Sequence, residues 1–293
     1  MERGHSESGG PGMSQTVLSV EDLVVEYPIP TGTFRAVDSV SFSVDRGATV
    51  AIVGESGCGK STIAKSIVRL LTPTSGRIVV DGTDIAQLSE KALRPFRSRV
   101  QMVFQDPYGS LDPHLTAVDI VGEPLRLQGV RDKRRRAQKA AELMDRVGLP
   151  TTALHRRPAE FSGGQRQRIG IARALASGPE ILVCDEATSA LDVSVQAQVL
   201  DLLREIQHDT GLTYVFISHN LGVVREISET VAVMSKGKVV ESGSTAEVLA
   251  HPREPYTQAL RAAALDPTSM VGIKPRHLTS RRATAPQPAG AAT

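Results

Sequence analysis

One eight-residue segment, GESGCGKS at 54–61, constrains this chain more than any other. It satisfies the pattern G-x-x-x-x-G-K-[ST] in full. Before it stands a short apolar run, Thr49–Val53, which reads as a strand; behind it a helical pattern runs from about Lys60 to Leu71 and is stopped by Pro73 and Gly76. A strand, a glycine-rich turn and a helix in that order aim several backbone N–H groups at one point, and the positive end of the helix dipole points the same way. Gly54, Gly57 and Gly59 supply the backbone freedom for the turn. Such a cradle suits a polyphosphate. Lys60 can bring a point charge to the β- and γ-phosphates and Ser61 a hydroxyl to Mg²⁺, with Glu55, Ser56, Cys58 and Thr62 completing the binding segment. A chance Gly-Lys-Ser can occur in any glycine-rich turn; the flanking strand and helix set this one apart.

A second anchor is ILVCDE at 181–186. Four apolar residues form a buried strand, and Asp185 and Glu186 follow at its C-terminal end, the sheet edge where open α/β folds bind ligands. Asp185 can hold Mg²⁺, and Glu186 can orient or deprotonate an attacking water. Two carboxylates after a strand are common in isolation; after a phosphate loop they complete a site. Cys58 lies inside that loop at a helix start, beside Lys60. Both the dipole and the lysine favour its thiolate, so a reactive thiol that bound nucleotide protects is expected, whereas Cys184 in its apolar strand should be inert.

The remaining pattern alternates strands (17–27, 36–44, 77–80, 100–104, 213–218, and a pair at 231–234 and 238–240) with helical stretches, notably 131–147 and 193–208. A turn is expected at 28–33, and the segment 106–177 is mainly helical. This predicts an α/β fold with a largely parallel sheet. Formal net charge is only +2 and there is no Trp, which weighs against a general nucleic-acid platform. Two cysteines fit a reducing compartment rather than a disulfide framework. No stretch approaches the ~18 apolar residues of a membrane span, and the polar start MERGHSESGGPGM does not read as a signal peptide, with Met13 an alternative start.

The stretch FSGGQRQRIGIARAL, 161–175, narrows the class. It resembles the signature motif of ABC ATPases, with Ser162, Gly163, Gly164 and Gln165 matching its core. Other elements of that family fall in order: Gln105 resembles the Q-loop glutamine, Ser189-Ala190-Leu191-Asp192 the D-loop and His219 the switch histidine. Tyr27 resembles the aromatic that stacks on adenine, with Phe34 the alternative. The resemblance covers about 17–260. It implies a P-loop NTPase core with a mainly parallel sheet, an N-terminal antiparallel β subdomain and a helical subdomain carrying the signature. It implies ATP and Mg²⁺ as cofactors, with Ser61, Gln105 and Asp185 toward the metal and Glu186, His219, Gln105 and Lys60 toward catalysis. Ser162 reads as an N-cap whose two glycines leave the first N–H groups of the next helix uncovered, an anion site. The family places it against the γ-phosphate of a second ATPase subunit in a head-to-tail dimer, with Asp192 nearby.

Two stretches, VFQDPYGSLDP at 103–113 and HPREPYTQALRAA at 251–263, resemble the peptide and nickel importer branch. The partners this implies are two transmembrane permeases, a second ABC ATPase and an extracytoplasmic solute-binding protein, with the chain on the cytoplasmic face of the membrane and no nucleic acid bound. The loop Gln105–Leu115 should dock on a permease, so that changes at Tyr108 or Leu111 spare basal ATPase activity and cut transport. With no cysteine after Cys184, no iron–sulfur cluster is expected. The expected organisation is a flexible 1–13, an ATPase domain over 14–247 with its helical part at about 106–177, a C-terminal extension at 248–273 and a disordered tail at 274–293. The alternative is a soluble ABC ATPase acting on nucleic acid or ribosomes. RDKRRRAQK at 131–139 supports it, although basic runs in helices more often form a solvated face. An export ATPase conflicts with the C-terminal stretch.

Overall fold

The computed structural model describes residues 15–189 and 191–265. The segments expected to be a flexible start and a disordered tail, the end of the C-terminal extension and Ala190 lie outside the described residues.

Two sheets organise the chain. The smaller is antiparallel in the order β2-β1-β4-β5, built from β1 (Thr16–Ile29), β2 (Gly32–Asp45), β4 (Ser75–Val80) and β5 (Thr83–Asp84). The turn expected over 28–33 shrinks to Pro30-Thr31, because the β1–β2 ladder continues to the pair Ile29–Gly32. The larger sheet has the order β10-β9-β3-β8-β7-β6, from β3 (Thr49–Gly54), β6 (Val100–Val103), β7 (Ile181–Asp185), β8 (Thr213–Ser218), β9 (Thr230–Ser235) and β10 (Lys238–Ser244). Its pairings are parallel except for the β9–β10 hairpin.

The continuous apolar runs of β3, β7 and β8 follow from this position. Both faces of a central parallel strand are covered, so alternate residues feed different cores. Ile181, Val183, Val215, Ile217, Val50 and Ile52 point to one side. There they meet Ile63, Ala64 and Ile67 of α1 (Lys60–Ile67) and the inner residues of the small sheet. Leu182, Cys184, Tyr214 and Phe216 point to the other side, against α6 (Val193–Thr210) and a bundle of α3 (Ala117–Leu127), α4 (Lys133–Arg146) and α5 (Gly163–Leu175). Ala51 and Val53 pack in a third cluster with α7 (Leu221–Ile227), α8 (Thr245–Ala250) and Tyr256 of α9 (Pro255–Leu265).

Helix α1 is shorter than its pattern suggests. Arg69 adopts a left-handed backbone, φ 54, and its buried guanidinium donates from Nε to the Ile85 carbonyl at 2.9 Å, turning the chain away. A helix α2 (Glu90–Arg99) has no counterpart in the sequence reading, since EKALRPFRSR offers one buried residue, Leu93, and an internal Pro95. The basic run at 131–139 starts α4, capped by Asp132, and most of its side chains face solvent. No described helix is long and apolar enough to cross a membrane.

Candidate functional site

The phosphate loop is shaped by close backbone approach. A Cβ on Gly54, at φ 154, would lie 2.3 Å from the Met234 carbonyl oxygen, and one on Gly59, at φ 108, would lie 2.4 Å from that of Ala36. No other residue fits either place without moving β9 or β2. Lys60 is almost fully buried, and its Nζ donates to the carbonyls of Gly54 and Glu55, each at 2.8 Å. The ammonium is thus tethered to the loop it must serve, held by groups a phosphate can replace.

Three segments far apart in sequence meet this loop. Ser61 Oγ donates to Asp185 Oδ1 at 2.9 Å. Burial pushes the Asp185 carboxyl up, partly offset by the Ser61 hydrogen bond. At the end of β7 the backbone of Glu186 enters the left-handed region, φ 47, an arrangement costing about 1–3 kcal/mol that the fold must sustain. This turn leaves the Glu186 carboxylate 3.9 Å from Lys60 Nζ and 3.5 Å from His219 Nδ1. Gln105 donates from Nε2 to Glu186 Oε2 at 2.8 Å. Lys60, Ser61, Gln105, Asp185, Glu186 and His219 therefore form one cluster at the C-terminal edge of the large sheet.

The oxygen pair of Ser61 and Asp185 fits a small hard cation, which takes one or two protein ligands and completes its shell with phosphate and water. A dehydrated carboxyl with a raised pKa is also what a cation would stabilise. Among the described residues no group of three or more His, Cys, Asp or Glu forms a metal cage.

The expected reactivity of Cys58 is overturned. Its side chain is 7% exposed, turned beneath Gly54 into the α1 core. Burial pushes the thiol up, and the opposing charge of Lys60 does not compensate. Cys184 is fully buried and pushed up to about 12 by burial and the Asp185 charge. Leu111 is a second correction. At 3% exposure it belongs to the core of the helical bundle rather than to an outward docking surface, whereas Tyr108 is 64% exposed.

The signature residues form a separate surface. Ser162 Oγ accepts from Gln165 N at 3.3 Å while Gln165 Oε1 accepts from Ser162 N at 3.0 Å, a reciprocal capping box at the start of α5. A Cβ on Gly164 would lie 2.4 Å from Val195 Cγ1, and one on Gly163 would sit 4.0 Å from Leu191 and Tyr108, so this helix start packs on α6 and the Gln105 loop, not on the phosphate loop. Asp192 caps α6, its Oδ1 accepting from Val195 N at 2.9 Å. Tyr27 and Phe34 are cross-strand partners, both exposed on the same face. Two connections escaped the sequence reading. Arg166 of α5 stacks 3.9 Å over the Tyr108 ring, and Arg173 donates to the Ser110 carbonyl at 2.6 Å, tying the signature helix to the Gln105 loop. The second joins Tyr256 of α9 to the phosphate loop. Neither pattern has a local signal, because both partners are far apart in sequence.

A phosphate loop, a carboxylate pair at a parallel-sheet edge and a glycine-led signature helix on a separate bundle define an ATP-binding cassette. The chain belongs to the ABC transporter family, whose model matches residues 37–189, and its cassette is an ATPase. It is 52% identical over 259 residues to a Sinorhizobium fredii protein described as "Probable peptide ABC transporter ATP-binding protein y4tS", covering 86% of this chain and 73% of that one. It is 50% identical over 254 residues to the oligopeptide transport ATP-binding protein AppF of Bacillus subtilis, covering 84% of this chain and 77% of that one. Among solved structures, the dimeric post-hydrolysis cassette MJ0796 bound to ADP and Pi superposes with a TM-score of 0.72 at 30% identity, over 78% of this chain and 98% of that one.

Proposed function

We propose that the chain binds and hydrolyses MgATP to power import of peptides, or a related small solute, through partner permeases at the cytoplasmic face of the membrane. The observation that carries the chemistry is the convergence of Lys60, Ser61, Asp185, Glu186, Gln105 and His219 on one sheet edge. The names of y4tS and AppF support the transported class.

Lys60 exchanges its carbonyl partners for the β- and γ-phosphates. Ser61 and Asp185, with Gln105 as a further ligand, would hold Mg²⁺, and the ion would supply neutralisation of phosphate charge. Glu186 accepts a proton from the water that attacks the γ-phosphorus, while Gln105 and His219 hold its carboxylate in place. Tyr27, or its partner Phe34, stacks on adenine. The dimeric state of MJ0796 supports an ATPase dimer; in a head-to-tail pair, Ser162, Gly163, Gly164, Gln165 and Asp192 face nucleotide on a second ATPase. Two permeases and a solute-binding protein complete the assembly. We assign the cassette to 14–247 and the extension to 248–273.

Glu186→Gln tests this reading, because an amide keeps the shape and cannot take the proton. ATP binding should persist while turnover falls by about 10²–10⁴-fold. Turnover within threefold of wild type would refute the role of Glu186. Peptide uptake by the reconstituted transporter tests the substrate class; uptake unaffected in Glu186→Gln vesicles would refute the coupling.

A further inference from the structure

The phosphate loop has a partner that no motif predicts. Glu55 N donates to Tyr256 Oη at 3.1 Å, across 201 residues of sequence. The peptide unit joining Gly54 to Glu55 is therefore gripped on both sides: its carbonyl accepts from Lys60 Nζ at 2.8 Å and its N–H reaches the tyrosine.

The tyrosine is firmly placed. Its ring packs with Ala51, Val53, Val224 and Val233, and it is 8% exposed. Helix α9 is anchored at its start by Glu241 of β10, whose carboxylate accepts from the backbone N–H groups of Arg253 at 2.8 Å and Glu254 at 3.2 Å. Farther along, Arg261 donates to the Ala250 carbonyl at 2.7 Å.

We infer that Tyr256 is a positioning residue of the nucleotide site, and that the C-terminal helix is a latch on the phosphate loop. The inference rests on the reading that the loop binds MgATP. When a phosphate draws the Lys60 ammonium away from the Gly54 carbonyl, the grip on that side is lost. The tyrosine then holds the peptide plane alone and keeps the loop in its binding form. Without the hydroxyl, the loop samples other orientations, and apparent affinity falls by the fraction that is competent.

Tyr256→Phe removes the hydroxyl and keeps the ring. In the full chain, affinity for MgATP should weaken about fivefold, the worth of one net hydrogen bond. KM for ATP should rise with kcat little changed, and the Glu55 amide should lose hydrogen-exchange protection, while the melting temperature stays close to wild type. Met144→Ala opens the core of the helical bundle, remote from the bond, and is expected to lower the melting temperature with affinity preserved. Equal affinity and equal Glu55 protection in Tyr256→Phe would overturn the latch alone. An affinity loss in Met144→Ala matching that of Tyr256→Phe would also overturn it, as a general stability effect. A wild-type chain that binds no MgATP would overturn the site reading and the latch together.

Discussion

Maleimide modification of Cys58 separates two physical arguments that point in opposite directions. A thiol at a helix start beside a lysine should be a low-pKa nucleophile. In the folded chain it is 7% exposed, and burial outweighs the lysine, raising the thiol above its ordinary value. An ordinary thiol is about 3% thiolate at pH 7, and each unit of upward shift removes a further factor of about ten. Burial of the sulfur also limits a reagent's access. The native chain should therefore label more slowly than the denatured chain at pH 7, by a factor of about ten for each unit of upward shift. The assay is mass-spectrometric counting of adducts against time, native and in denaturant, repeated across pH. The native rate should still climb at alkaline pH. Native labelling as fast as denatured, or a rate that levels off near neutral pH, would show that the thiolate argument was right and the burial argument wrong.

Two further predictions use other parts of the structure. Leu111→Ala should cost about 2–5 kcal/mol of stability in denaturant titration, since Leu111 is 3% exposed in the helical core, whereas Tyr108→Ala at 64% exposure should leave stability within about 1 kcal/mol and reduce ATP-driven transport; the reverse pattern would return Leu111 to the docking surface. Glu180 links the two sheets, accepting from Arg99 Nη2 at 2.9 Å and Arg46 Nη1 at 3.1 Å, and chiefly the Arg99 hydrogen bonds hold its carboxyl below the usual range. A depressed carboxyl stabilises above its unfolded pKa and loses that contribution as pH falls through its folded value, so Glu180→Gln should be about 1 kcal/mol less stable at pH 7, with the gap closing below about pH 4; a gap independent of pH would refute the charge argument.

The local motifs were legible because their physics is local. A glycine-rich turn between an apolar strand and a helix, a strand ending in Asp185-Glu186, and a serine N-cap before two glycines each act within a few residues, and each occupies the element expected of it. The doubly covered β7 and β8 were legible for the same reason, as unbroken apolar runs. Helix α2 was not, because a charged, proline-containing stretch with one buried residue has no period to read. What the sequence by itself determined was the set of chemical groups and the elements that carry them. Only the tertiary structure decided the environment of each group. Burial reversed the expected ionisation of Cys58, the helical core claimed Leu111, and a helix 201 residues away supplied a hydroxyl to Glu55. Desolvation and long-range contact depend on which surfaces pack together, and no local window of sequence contains that information.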